Sequence, residues 1–107
     1  MSTTMAFAMY KPHAGKENAL AALVKKHLPA LRQYGLITER DGYLAKSKDG
    51  TFCEIFEWVS PDASRQAHEH PAIAKIWEAM GEIADFPAMN ALPEAGNRFP
   101  NFAMMAL

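Results

Sequence analysis

The chain carries a single cysteine, Cys53, among its 107 residues. One thiol cannot close an internal disulfide, which argues against a small secreted, disulfide-stapled design. Long apolar runs are missing as well: no segment approaches the roughly 20 apolar residues needed to cross a bilayer. The N-terminal "MSTTMAFAMYKPH" has no basic leader, and its apolar stretch is too short for a signal core with a cleavage site. A basic stripe is absent too. The formal charge is −1, the isoelectric point is 6.4, and the Lys and Arg residues are scattered among acids. The longest basic run, Lys25-Lys26 with His27, reads as a solvated helix face, so no nucleic-acid partner is expected. A soluble, cytoplasmic protein is expected. There is no Gly-rich phosphate loop, P-loop or nucleophile triad either, which removes the most recognisable catalytic devices.

What is present is an ordinary globular composition, half hydrophobic and about a fifth charged, in a length that fits one domain over 1–107. "TTMAFAMYKP" alternates as a strand, with Met5, Phe7 and Met9 on one side and Ala6, Ala8 and Tyr10 on the other. From Gly15 to Tyr34 the period changes. Leu20, Leu23, Val24, His27, Leu28 and Leu31 form one helical stripe, Pro29 predicts a kink or break, and Gly35 suits a C-terminal cap. "LITERDGYLAKSKDGTFCEIFEWVS" reads as a hairpin around a two-residue Asp49-Gly50 turn, with a bulge or bend at Asp41-Gly42. Its second strand places Phe52, Glu54, Phe56 and Trp58 on one face and Cys53, Ile55, Glu57 and Val59 on the other.

Ser60-Pro61-Asp62 predicts a helix start with Ser60 as the capping hydroxyl. That helix runs over "PDASRQAHEH" and resumes as "PAIAKIWEAMGEIADF", with Ile73, Ile76, Trp77, Met80, Ile83 and Ala84 as its stripe. Pro87, Pro93 and Gly96 predict a loop, and "PNFAMMAL" a last strand. The order is βαββαβ, an α+β, ferredoxin-like arrangement with an antiparallel sheet and two helices on one face. Two helices cover one side only, yet the first and last strands are apolar on both sides. Met5, Phe7 and Met9 oppose Ala6, Ala8 and Tyr10, while Phe102 and Met104 oppose Ala103, Met105 and Leu107. The second face would be an apolar patch larger than soluble monomers tolerate, so a symmetric homodimer packed through the sheet is expected.

"HLPALRQYGLIT" (27–38), "FEWVSPDASRQAHEHPA" (56–72) and the short C-terminal strand resemble the dimeric α/β-barrel superfamily, in particular the antibiotic-biosynthesis-monooxygenase-like domains. The second stretch carries that family's strand ending in a Trp, short acidic turn, and helix with a His before a break. Relatives include cofactor-free quinone-forming monooxygenases, haem-degrading monooxygenases and lactone isomerases. The resemblance implies a dimeric barrel and a pocket between sheet and helices for a small aromatic or polyketide-like molecule. It also implies an oxidoreductase working without a bound cofactor, or a non-catalytic ligand-binding module. In haem-degrading relatives the His position matched by His68 is the iron ligand, and an Asn stands on the sheet. "TTMAFAMYK" offers no Asn, which weighs against haem.

Read from the residues themselves, "AHEHPAI" (67–73) holds two histidines two apart. On a helix they lie about 200° apart around the axis, so no metal site is expected from them. Pro71 pushes His70 out of the α region and makes it a joint or cap. His68 is left free to point inward or outward, and the resemblance to the cofactor-free relatives makes it the candidate proton acceptor. Trp58 and Tyr10 are expected to line the pocket, with Glu54, Tyr43 and Trp77 beside them and small Ala6 and Ala8 leaving room. Of Glu54 and Glu57, whichever points inward is a buried carboxylate needing a partner and a candidate base. Cys53 reads as inert core.

Overall fold

A computed structural model describes residues 2–106. Leu107, which the alternation puts on one face of the last strand, lies outside the described residues. Five antiparallel strands form one open sheet: β1 (Thr4–Pro12), β2 (Tyr43–Lys46), β3 (Phe52–Trp58), β4 (Ala84–Asp85) and β5 (Ala103–Met105), in the order β4-β1-β3-β2-β5. Helices α1 (Glu17–Gln33), α2 (Ala63–Glu69) and α3 (Pro71–Ile83) complete the element order. The fold is α+β and ferredoxin-like, as the order of elements predicts. Among the described residues no helix is long and apolar enough to cross a membrane.

The core lies between the sheet and the helices. Leu20, Val24, Leu28 and Leu31 of α1 and Ile73 and Met80 of α3 are buried against Phe52, Phe56 and Trp58. Burying each such side chain stabilises by roughly 1.5–3 kcal/mol. Leu23, on the edge of the α1 stripe, is only partly buried. Pro29 does not break α1, because both Pro29 and the residue whose carbonyl it frees, Lys25, face solvent. Gly35 (φ +70°) ends α1, with its N–H bonded to the Arg32 carbonyl and the Leu36 N–H to that of Leu31.

Four local expectations are corrected. The β2–β3 turn holds three residues, since Lys46 pairs Phe52 and the Ser47 N–H meets the Thr51 carbonyl, with Gly50 (φ +91°) closing it. Ser60 does not cap with its side chain. A turn from the Ser60 carbonyl to the Ala63 N–H comes first, and the Asp62 carboxylate binds Arg65 instead. α3 stops at Ile83 rather than running on to Phe86, because Pro87 disfavours helix at Phe86 and Ala84-Asp85 pair with Lys11-Pro12. Those two residues are therefore the last strand of the βαββαβ pattern. The C-terminal strand is an additional one that pairs with β2 at the far edge.

The bend falls at Glu39-Arg40, just before the expected Asp41-Gly42, which leads directly into β2. Gly42 is required sterically: a Cβ there would come within 2.4 Å of Leu28 Cδ1 and 3.0 Å of the Ile55 carbonyl oxygen. The sheet's second face is not wholly bare. The segment holding two 3₁₀ turns, Met89–Ala91 and Pro93–Gly96, lays Leu92 over Met9, Ala45 and Cys53. Glu94 fastens it, accepting from the Ser47 hydroxyl at 2.6 Å and the Lys48 N–H at 2.9 Å. Met5, Phe7, Tyr43 and Met104 stay exposed.

Candidate active site

A cleft of about 370 Å³ opens between β1, β3 and the α2–α3 helices. Ala6 and Ala8 form its floor, and aromatic rings from Tyr10, Phe56, Trp58, Trp77 and Phe86 form most of its walls. Among the described residues, no Lys, Arg, Asp or Glu lines it. Period-two alternation puts Ala6, Ala8 and Tyr10 of β1 on the side that faces the helices, opposite Phe56, Glu54 and Phe52 of β3. The small alanines leave the space; the aromatics give it flat apolar sides.

His68 stands at the mouth, exposed to solvent, with its ring edge-on to Trp77 at 4.6 Å between centroids. His70 leaves the same stretch in another direction. Its backbone is extended (φ −89°, ψ 118°), its Nδ1 accepts the Ala72 N–H at 3.2 Å as the cap of α3, and its ring stacks on Tyr34 at 4.0 Å. Pro71 separates the pair. Among the described residues, no three His, Cys, Asp or Glu side chains are grouped to hold a metal.

Beneath the cleft lies a polar cluster that joins four elements, β1, β3, α1 and α3. The Tyr10 phenol donates to Oε1 of Glu54 at 2.7 Å, and Nδ1 of His27 lies 2.7 Å from the same oxygen. The Trp77 indole N–H donates to Nε2 of His27 at 2.9 Å. Burial, aided by the charge of Glu54 and the bond to it, raises the Tyr10 pKa well above the ordinary phenol value. Glu54 Oε2 has no hydrogen-bond partner among the described residues.

Of the residues expected to line the pocket, Trp58, Tyr10 and Trp77 do so with His68. Two do not. Glu54 is fully buried behind Tyr10 and His27 and does not reach the cleft. Tyr43 lies on the opposite face of the sheet: it pairs in register with Ile55, whose side chain points away from the helices. Glu57 lies partly buried on the sheet face away from the helices, held by Thr3, Thr38 and Arg40. His27 is the residue that periodicity hid. It sits in a leucine stripe, where a polar member is easily read as core, and the second signal was Glu54, a carboxylate inside an apolar strand, which needs a buried partner.

No protein-family model matches the chain, and no curated protein matches it. Among solved structures it is similar to tetracenomycin F2 cyclase from Streptomyces glaucescens, a type-II polyketide cyclase. The TM-score is 0.57 at 17% identity, over 81% of this chain and 82% of that one. At that identity the likeness is one of fold.

Proposed function

We propose that the cleft binds a flat aromatic or polyketide-like molecule and that His68 takes a proton from it. The observation that carries this reading is the lining: aromatic walls, no formal charge, and an imidazole at the mouth. A flat ligand buries apolar area there, and the low polarity strengthens any hydrogen bond to its oxygens. The fold shared with a polyketide cyclase and the resemblance to the monooxygenase-like domains support the same ligand class. In the reaction proposed, a carbon acid flanked by carbonyls gives its proton to the imidazole and leaves an enolate. That enolate can close a ring or reduce oxygen.

Cofactor-free oxygenation is the second reading, favoured by Trp58 and His68 standing together on the cleft, as in the resemblance. Haem does not fit this lining. No Lys or Arg stands on it to meet propionates, and His68 packs on Trp77. We propose a reaction without a bound cofactor, in a cytoplasmic protein consistent with its one free, buried thiol. A second copy is proposed to cover Met5, Phe7, Tyr43 and Met104 across the sheet.

The test uses 1,8-dihydroxyanthraquinone as a binding probe and 1,8-dihydroxyanthrone as a carbon acid. Saturable quenching of tryptophan fluorescence is expected, weakened about tenfold, or 1.4 kcal/mol, by Trp77→Ala. Protein-catalysed deuterium exchange at the anthrone methylene is expected to slow by about a hundredfold in His68→Ala. Oxygen uptake, one O₂ consumed per anthrone with quinone and water as products, would establish the second reading. Binding without exchange would leave a ligand-binding module, and no quenching would sink the reading.

A further inference from the structure

The polarity of the buried cluster can be deduced. An indole nitrogen donates and never accepts, so Nε2 of His27, bonded to Trp77, carries a lone pair. The ring proton of the neutral imidazole is therefore on Nδ1 and is donated to Glu54. Both partners of that bond are buried, with side-chain exposures of 2% and 0%. A carboxylate that fixes the tautomer and orientation of an imidazole, and supports the positive charge it gains on accepting a proton, is the arrangement of an activated base.

We propose that His27 is a second proton acceptor of this site, oriented by Glu54 and covered by Trp77. His27 already lines the cleft. Its Nε2 is occupied by a side chain that is only half-buried and stands between His27 and the mouth residue His68. A ligand carbonyl or phenol oxygen entering the cleft can accept the indole N–H in place of Nε2. That exchanges one acceptor for another, so the indole can turn away at small cost, and the imidazole is then uncovered beside the ligand. The inference rests on the proposed binding of an aromatic oxygen-bearing molecule. Titratable groups facing His27 are Glu54 from β3 and Tyr10 from β1, with His68 of α2 beyond Trp77; no cationic side chain lines the cleft.

The test is acylation by diethyl pyrocarbonate, which attacks only an unprotonated, accessible imidazole nitrogen, with each histidine followed by peptide mass spectrometry. It needs no ligand, so its result is independent of whether the cleft binds aromatics. In the unaltered protein His68 is expected to react and His27 to be protected. Trp77→Phe keeps a ring but removes the N–H, and is expected to speed His27 labelling about tenfold or more, with Glu54→Gln in that background reversing most of the gain. Imidazole nitrogen NMR of the unaltered protein should report the Nδ1–H tautomer for His27, a measurement that no folding defect can confound. In the anthrone exchange assay, His68→Ala should keep a residual rate that falls about tenfold on adding Glu54→Gln. The proposal is overturned by an Nε2–H tautomer, by His27 labelling that Trp77→Phe leaves unchanged, by a Trp77→Phe gain that Glu54→Gln leaves intact, or by loss of all exchange in His68→Ala when the unaltered protein exchanges.

Discussion

Nδ1 of His27 and Oε1 of Glu54 lie 2.7 Å apart in the core, one from the middle of a helix and the other from the middle of a central strand. Apolar residues would fill that position at lower cost, because two desolvated polar groups regain by pairing only part of what burial takes from them. The pair is therefore better explained by what it positions than by what it stabilises.

Glu54→Ala tests that view through stability. It leaves the His27 Nδ1–H and the Tyr10 phenol buried without an acceptor, and about 3–5 kcal/mol is expected to be lost. Glu54→Gln keeps an acceptor and should cost about 1–2 kcal/mol. The combined Tyr10→Phe, His27→Leu, Glu54→Leu variant should recover most of the loss while removing the residual proton exchange that His68→Ala leaves. Urea unfolding gives the ordering; a triple variant as unstable as Glu54→Ala would show that the cluster is structural.

Tyr10 makes a prediction about alkaline pH. Its phenol is buried beside the Glu54 carboxylate and bonded to it, so the folded protein holds the proton well above the ordinary value of 10.0. The folded pKa is the raised one, so its stabilising effect is complete below about pH 10 and is lost as the pH climbs from there toward the folded value. Absorbance near 295 nm should show one late phenolate step that coincides with unfolding and disappears in Tyr10→Phe. An early step that Tyr10→Phe removes would refute the burial argument.

Much of this was legible in the sequence because it depends on local period and punctuation. Alternation over 4–12 placed Ala6, Ala8 and Tyr10 together, the stripe over 20–31 placed α1, and Pro71 separated His70 from His68. What was not legible depends on pairing across long separations. Ala84-Asp85 became a strand only because β1 had a free edge at Lys11-Pro12. Tyr43 lost its place on the cleft because strand register, which a one-residue shift reverses, decides the face. His27 and Glu54 are 27 residues apart, and each reads alone as a minor irregularity in an apolar pattern.

Glu94 predicts a response to acid. Its carboxyl is held below the usual 4.5, chiefly by the Ser47 hydroxyl, with the Lys48 N–H helping. A depressed folded pKa gives stability that is present above the unfolded value and drains away as the pH falls below 4.5 through the folded one. The part of the fold affected should be local. Glu94→Gln, at neutral pH, should speed hydrogen exchange at the Ala91, Leu92 and Ala95 amides, which close the two 3₁₀ turns, while α1 amides hold their rates. Equal acceleration in α1 would mean that the segment is no separate unit.

The proposed dimer depends on the part of the sheet that this segment leaves bare. Met5, Phe7, Tyr43 and Met104 are exposed by 65%, 47%, 58% and 66%. These residues belong to three strands of one sheet, and a patch of that kind is what a second sheet would cover. Sedimentation equilibrium should give twice the 11.9 kDa of the chain. A variant should then dissociate it without unfolding it, and the choice of charge matters. Glu57 stands directly across from Met5, so Met5→Glu would put like charges opposite one another and weaken the sheet itself. Met5→Lys instead gains an opposite charge on its own chain while placing an ammonium in the proposed interface. The expected result is a mass of 11.9 kDa with an unchanged circular-dichroism spectrum. A single-chain mass for the unaltered protein would refute the dimer, and an undiminished dimer in Met5→Lys would move the interface off this face.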